Sequence, residues 1–161
     1  PGDPGNYPIN WLRDGAYVIA ALARTGDISL AKTLVSEFAS NDFFGGFGAE
    51  ADAPGLAIWA IYEVSIRDTL EYQQAMWPDI ERKAELILDM IYSHEALSKV
   101  FSGPIVPSVR NKGYDFLSTI SKPAVNGLIT GKMDNHLPIF DVNAVSYLGL
   151  EKAAFLASKL G

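Results

Sequence analysis

The chain has 161 residues, of which 48% are hydrophobic and 20% charged, a composition typical of one globular domain with a sizeable core. Its formal net charge is −6 and Lys and Arg form no run, which argues against nucleic acid or an anionic membrane as a partner. Cysteine is absent, which excludes disulfides and thiolate metal sites and favours a reducing, cytoplasmic location. We expect no cofactor and no metal, because two His without Cys are a poor ligand set for catalytic zinc.

The first 40 residues predict a short leader and one helical hairpin. Residues 1–9 are rich in Pro and Gly and predicted to be irregular. A helix over about 11–25 is apolar on most faces, which predicts an inner, buried helix that Gly26 ends. A second helix over about 29–40 carries one apolar stripe, Leu30, Leu34 and Phe38, and is predicted to be its outer partner.

A second hairpin follows a loop with three Phe and three Gly at 43–48, which either packs on the core or lines a binding site. The helix over about 53–66 is nearly all apolar and therefore predicted to be inner, with Asp52 as a candidate N-cap. An amphipathic outer helix comes next, and Pro78 is expected to start or kink its main segment.

Residues 94–140 lack helical periodicity and contain four Pro, with short β-like runs at 103–109 and 127–130. An irregular stretch of this length is usually functional or an insertion. An Ala-rich apolar helix over about 141–160 closes the chain. We therefore predict a single domain over 1–161: a leader (1–9), two hairpins (10–93), a long loop (94–140) and a fifth helix (141–161).

An aspartate stands near the start of each predicted inner helix. Asp14 and Asp52 lie 38 positions apart, one hairpin period, and Asp134 precedes the fifth helix by a few residues. Each could simply accept backbone N–H groups of the first helical turn. Their recurrence predicts instead a shared rim, although a ring and a solenoid of hairpins give the same alternation.

Several stretches resemble the catalytic domain of glucoamylase-type glycosidases. They are residues 7–14 (Tyr-Pro-Ile-Asn-Trp-Leu-Arg-Asp), 46–52 (Gly-Phe-Gly-Ala-Glu-Ala-Asp), 77–80 (Trp-Pro-Asp-Ile) and 142–150 (Val-Asn-Ala-Val-Ser-Tyr-Leu-Gly-Leu). The resemblance covers most of 7–93 and 131–161 and does not extend to 94–130. It implies an all-α fold, a partial (α/α)6 barrel with about half of the helical hairpins present, and a long loop with short strands. The rest of the barrel would come from the same or another chain, and we expect these 161 residues to be a piece of a longer protein.

The same resemblance implies an inverting, exo-acting α-glucosidase that hydrolyses small gluco-oligosaccharides or glucan ends. Trp11, Arg13 and Asp14 would form the sugar pocket, with Glu50 and Asp52 at a second rim position. Residues 131–136 (Gly-Lys-Met-Asp-Asn-His) depart from glucoamylase and resemble the acid-bearing segment of amylo-α-1,6-glucosidase relatives, which makes Asp134 the candidate general acid. Inversion needs a second carboxylate about 6.5–9.5 Å away as base. We expect that base outside this chain, and the chain alone to be inactive.

Other functions are compatible with the same pattern. A sugar epimerase or phosphorylase could use the same barrel, since fold does not decide function. A non-catalytic helical-repeat module that binds carbohydrate or protein is the remaining alternative, and an exposed Leu/Phe stripe on the outer helices would favour it. The glycosidase hypothesis predicts that Asp14, Asp52 and Asp134 face one cavity.

Overall fold

The computed structural model describes residues 11–43, 48–101, 116–134, 137 and 140–161. These ranges are mostly helical and include a small antiparallel sheet. The elements, in chain order, are α1 (Leu12–Thr25), α2 (Ile28–Ser40), α3 (Ala53–Ser65), α4 (Leu70–Tyr92), β1 (Leu97–Phe101), β2 (Phe116–Val125), β3 (Leu128–Gly131) and α5 (Phe140–Leu160).

The helix ends follow local capping chemistry. α1 stops at Gly26, whose φ of 96° lies in the left-handed region that favours glycine. α2 begins behind Asp27, whose side chain accepts the Leu30 N–H. Four helices match their predicted bounds within one residue. The exception is α4, which begins at Leu70 and contains Pro78 in its interior.

Of the three helices predicted to be inner, only α3 is buried on nearly all sides, and it packs between α1 and α5. Twelve of the 13 residues of α3 are buried. α1 and α5 are not buried all round, because each has a face that no other described element covers. Tyr147 on α5, for example, is 72% exposed. The α2 stripe ends on Phe38, which is buried, and the outer helices therefore carry no continuous exposed Leu/Phe stripe among the described residues.

Two glycines let α3 and α5 approach closely. A Cβ atom added to Gly149 would lie 2.7 Å from the Gly55 Cα atom, shorter than real Cβ contacts allow. Backbone therefore packs directly on backbone at this crossing, which sets the distance between the two inner helices.

The three-stranded sheet lies in the segment that the sequence predicts to be mainly irregular. Its order is β1-β2-β3 with antiparallel pairs. Asn126 and Gly127 link β2 to β3 with φ values of 56° and 76°, as a tight two-residue hairpin turn requires. The β-like run at 127–130 is confirmed as most of β3, whereas the run at 103–109 lies outside the described residues.

The sheet is attached to α5 by one amide side chain. Asn143 donates to the Ile129 carbonyl at 2.9 Å and accepts the Ile129 N–H at 3.0 Å, as a neighbouring strand would. Ile120 and Ile129 are fully buried beneath the strands. The end of β3 is thereby held beside the starts of α3 and α5. In the described parts of the chain, no helix has the length and apolar character needed to cross a membrane.

Candidate functional site

Arg13 is the centre of a cluster of three carboxylates. Its Nε donates to Asp52 Oδ2 at 3.0 Å and its Nη2 donates to Glu50 Oε2 at 3.0 Å. Its Nη1 lies 3.4 Å from both carboxylate oxygens of Asp134, a longer contact. Three segments far apart in sequence thus meet at one guanidinium, whose several N–H groups suit it for such a role.

The sheet brings Asp134 to this cluster. Lys132 N–H donates to the Ile120 carbonyl at 2.6 Å, and the Lys132 carbonyl accepts the Ala51 N–H at 2.7 Å. Backbone hydrogen bonds therefore join the end of the hairpin to the segment before α3. Two residues further on, the Asp134 N–H donates to Glu50 Oε1 at 3.1 Å.

Burial divides the carboxylates into two kinds. The side chains of Glu50 and Asp52 are 3% and 4% exposed, whereas that of Asp134 is 39% exposed. Burial, followed by the charge of Asp52, raises the pKa of Glu50 to about 8, although Arg13 opposes the shift. Burial also raises the pKa of Asp52 despite its ion pair with Arg13. Burial disfavours the charge on Arg13, but the surrounding carboxylates outweigh it and raise the Arg13 pKa.

A pocket of about 280 Å³ adjoins the cluster. Its volume lies just below the about 300–1,000 Å³ usual for small-molecule sites. The lining combines three charged side chains with apolar and aromatic ones: Arg13, Tyr17, Asp52, Leu56, Met133, Asp141 and Val145. The Tyr17 ring meets the Trp59 ring edge-on, with centroids 5.0 Å apart. The pocket thus offers a charged end beside apolar walls.

The predicted rim is formed only in part. Asp52 and Asp134 meet at Arg13, but Asp14 is exposed and does not belong to the cluster. The reason is helical geometry, because successive residues point about 100° apart, so Arg13 facing α3 turns Asp14 away. Asp52 occupies the N-cap position of α3, yet its side chain makes no capping hydrogen bond and pairs with Arg13.

The other predicted site residues lie around the same region. Glu50 lies beneath the rim, since it is 2% exposed and both of its oxygens are bonded within the protein. Trp11 stands at the N-cap position of α1 and is half-buried. His136, together with most of the Phe/Gly loop (44–47), lies outside the described residues.

Tyr17 and Asp141 line the pocket but were missed by the sequence reasoning. Tyr17 follows Arg13 by four residues, so it lies on the same face of α1, and that spacing could have identified it. Asp141 lies in the first turn of α5. Its position opposite Arg13 depends on how α5 packs on α3, which no local pattern encodes.

A third buried carboxylate, Glu63, lies outside the Arg13 cluster, toward the C-terminal end of α3. Glu63 is 4% exposed and accepts hydrogen bonds from Arg24, at 3.0 and 2.7 Å, and from Trp59 Nε1 at 3.1 Å. Arg67 completes the arrangement at 3.0 Å. This group is a useful structural comparator for Glu50, since no residue of the Arg13 cluster contacts it in the described ranges.

No family model, curated protein or solved structure matches the chain. Within the described ranges, no group of three or more His, Asp and Glu side chains has an arrangement that could hold a metal ion.

Proposed function

We propose that this chain carries the sugar-holding part of an inverting, exo-acting α-glucosidase that acts on small gluco-oligosaccharides or glucan ends. The observation that supports this most directly is the meeting of Arg13, Asp52 and Asp134 beside one pocket. The resemblance placed these residues in one site although 121 positions separate the first from the last. The resemblance also selects Asp14, which is exposed and lies outside this cluster, so the support comes from Arg13, Asp52 and Asp134.

The chemistry of the pocket suits a sugar ring. Sugars present hydroxyl groups at the ring edge and apolar C–H groups on the ring faces. Arg13 and Asp52 offer charged hydrogen-bonding groups to the former, and Tyr17, Leu56 and Val145 offer apolar surface to the latter. The small volume favours one ring, which accords with exo action at a chain end.

Asp134 is the proposed general acid of this reaction. Among the three carboxylates around Arg13 it is the accessible one, and an acid must reach the glycosidic oxygen that it protonates. Asp52 is then a holding group, since it lines the pocket and pairs with Arg13. The general base is proposed to lie on residues that complete the barrel, so hydrolysis would need those residues.

The exposed apolar side chains of α1 and α5 support a partial barrel. Tyr17 and Val18 are 63% and 51% exposed, and Phe140 and Tyr147 are 82% and 72% exposed. These helices flank α3, where further hairpins of a closed ring would pack. We propose that the rest of the barrel covers them, from the same or another chain.

The experiment measures binding and hydrolysis separately. Saturation-transfer NMR of the 161-residue chain with maltose and isomaltose should detect binding, and Arg13→Ala should abolish it. Arg24→Ala is the matched control, since Arg24 also lies on α1 but pairs with Glu63. Sugar binding that persists in Arg13→Ala would contradict the proposed site.

Hydrolysis is measured on the complete gene product that contains this chain, with maltose, isomaltose and p-nitrophenyl α-glucoside. Asp134→Asn should lower the rate of hydrolysis by about 10²–10⁴-fold, the usual contribution of a general acid. Wild-type rates in that variant would remove Asp134 from its role. Turnover that requires phosphate would identify a phosphorylase, and sugar binding without turnover would identify a non-catalytic module.

A further inference from the structure

Glu50 connects the two charged groups that the proposed reaction uses. One of its oxygens accepts the Arg13 Nη2–H at 3.0 Å and the other accepts the backbone N–H of Asp134 at 3.1 Å. Arg13 in turn reaches the Asp134 carboxylate at 3.4 Å. The three residues therefore form a closed ring of hydrogen bonds in which Glu50 is the buried member.

The segment that Glu50 holds has an unusual backbone. Asp134 has a φ of 52°, in the left-handed region that L-residues other than Asn and Asp rarely adopt. The Ala51–Lys132 backbone hydrogen bond fixes the chain two residues earlier. At Asp134 itself, the hydrogen bond from its backbone N–H to the Glu50 carboxyl anchors the chain.

We infer that Glu50 is a positioning residue, which holds the Asp134 backbone and the Arg13 guanidinium together at the edge of the pocket that Arg13 lines. It is 2% exposed and, unlike Asp52, is not among the residues that line the pocket, so it acts through Arg13 and Asp134. The role of Asp134 as proton donor rests on the proposed function, whereas the hydrogen bond from Asp134 to Glu50 does not.

Four charged groups surround Glu50. Arg13 faces it from α1, Asp52 from the start of α3, and Asp134 and Lys132 from the segment after β3. Burial and the charge of Asp52 raise the pKa of Glu50 to about 8, which places its titration in a range accessible to NMR. Ionisation of Glu50 should strengthen the hydrogen bond that it accepts from the Asp134 N–H, since a charged acceptor forms a stronger hydrogen bond than a neutral one.

The test follows the Glu50 side-chain 13Cδ signal and the Asp134 amide proton in the 161-residue chain from pH 4 to 10. Both should titrate with one midpoint in the wild type. In Glu50→Gln the Asp134 amide should lose that titration, whereas Glu63→Gln, which removes an equally buried carboxylate, should retain it. Different midpoints in the wild type, or an unchanged Asp134 titration in Glu50→Gln, would overturn the inference. If Glu50→Gln fails to fold, the wild-type comparison still decides.

A kinetic readout separates this inference from the proposed function. In the complete gene product, Glu50→Gln should lower kcat about 100-fold, as expected for a misplaced reacting group, and should also raise KM because Arg13 loses one of its partners. An unchanged kcat would show that Glu50 does not position Asp134 and would contradict the inference. Absence of any glucosidase activity in the wild type would refute the proposed function, while the NMR result would still decide whether Glu50 anchors Asp134.

Discussion

Removal of the Glu50 carboxyl should change how the stability of the protein depends on pH. The folded protein raises the pKa of this group from an ordinary 4.5 to about 8. Between these values the folded state keeps the proton that the unfolded chain releases. The associated stability is therefore fully present below pH 4.5 and is lost as the pH rises toward 8.

The size of the effect follows from the free energy of one proton. One pH unit corresponds to about 1.4 kcal/mol, so Glu50 alone should lower the free energy of unfolding by about 1.4 kcal/mol per unit in this interval. Over the whole interval the loss is at most about 5 kcal/mol, a large share of the total stability of a typical domain. In Glu50→Gln the side chain cannot ionise, so this part of the slope should disappear.

Urea denaturation at pH 5, 6, 7 and 8 measures the slope in both proteins. Glu63→Gln is the control, because the pKa of Glu63 is shifted in the direction opposite to that of Glu50. Burial works against the charge of Glu63, but hydrogen bonds and charges from Arg24 and Arg67 lower its pKa overall. Its contribution is therefore lost only as the pH falls below the ordinary range of a Glu. Parallel profiles of the wild type and Glu50→Gln between pH 5 and 8 would refute the reasoning.

Three further perturbations test individual features of the fold. The free energy of unfolding of the wild type should rise by about 1.4 kcal/mol per pH unit between about pH 8 and 10.5, and Lys83→Met should abolish this rise. The reason is that burial lowers the pKa of Lys83 to about 8, and urea titrations at pH 8 and 10 that are identical in both proteins would contradict this. Gly149→Ala should destabilise the α3–α5 crossing by about 1–3 kcal/mol, whereas Ala144→Leu on an exposed position of α5 should have little effect in thermal unfolding. Asp27→Ala should cost about 1 kcal/mol by removing the α2 N-cap, and an unchanged urea midpoint would show that the cap contributes nothing.

The helices were predictable because their signals are local. Apolar periodicity, Gly26 after α1 and Asp27 before α2 act within a few residues of the helix that they define. Pro78 was expected to start or kink the main segment of α4, and the first alternative is wrong. The helix begins two turns earlier, at Leu70, behind Thr69, whose side chain caps it by accepting the Tyr72 N–H.

The sheet was predicted only at β3, although a signal for its hairpin was present. Asn126-Gly127 is a favoured two-residue hairpin turn, and it lies between apolar segments. The pairing of β1 with β2 spans a longer stretch of chain. Such pairing depends on contacts that leave no local pattern, so its register could not have been predicted.

The amino-acid sequence by itself determined the five helices, the burial of α3, and the presence of charged residues near the starts of α1, α3 and α5. Only the tertiary structure decided which of these charges meet. Arg13 faces α3 while Asp14 points away, Glu50 is buried beneath them, and the small sheet brings Asp134 to the cluster. Helical periodicity acts over one turn of chain, whereas burial and charge pairing depend on segments 37 to 121 positions apart.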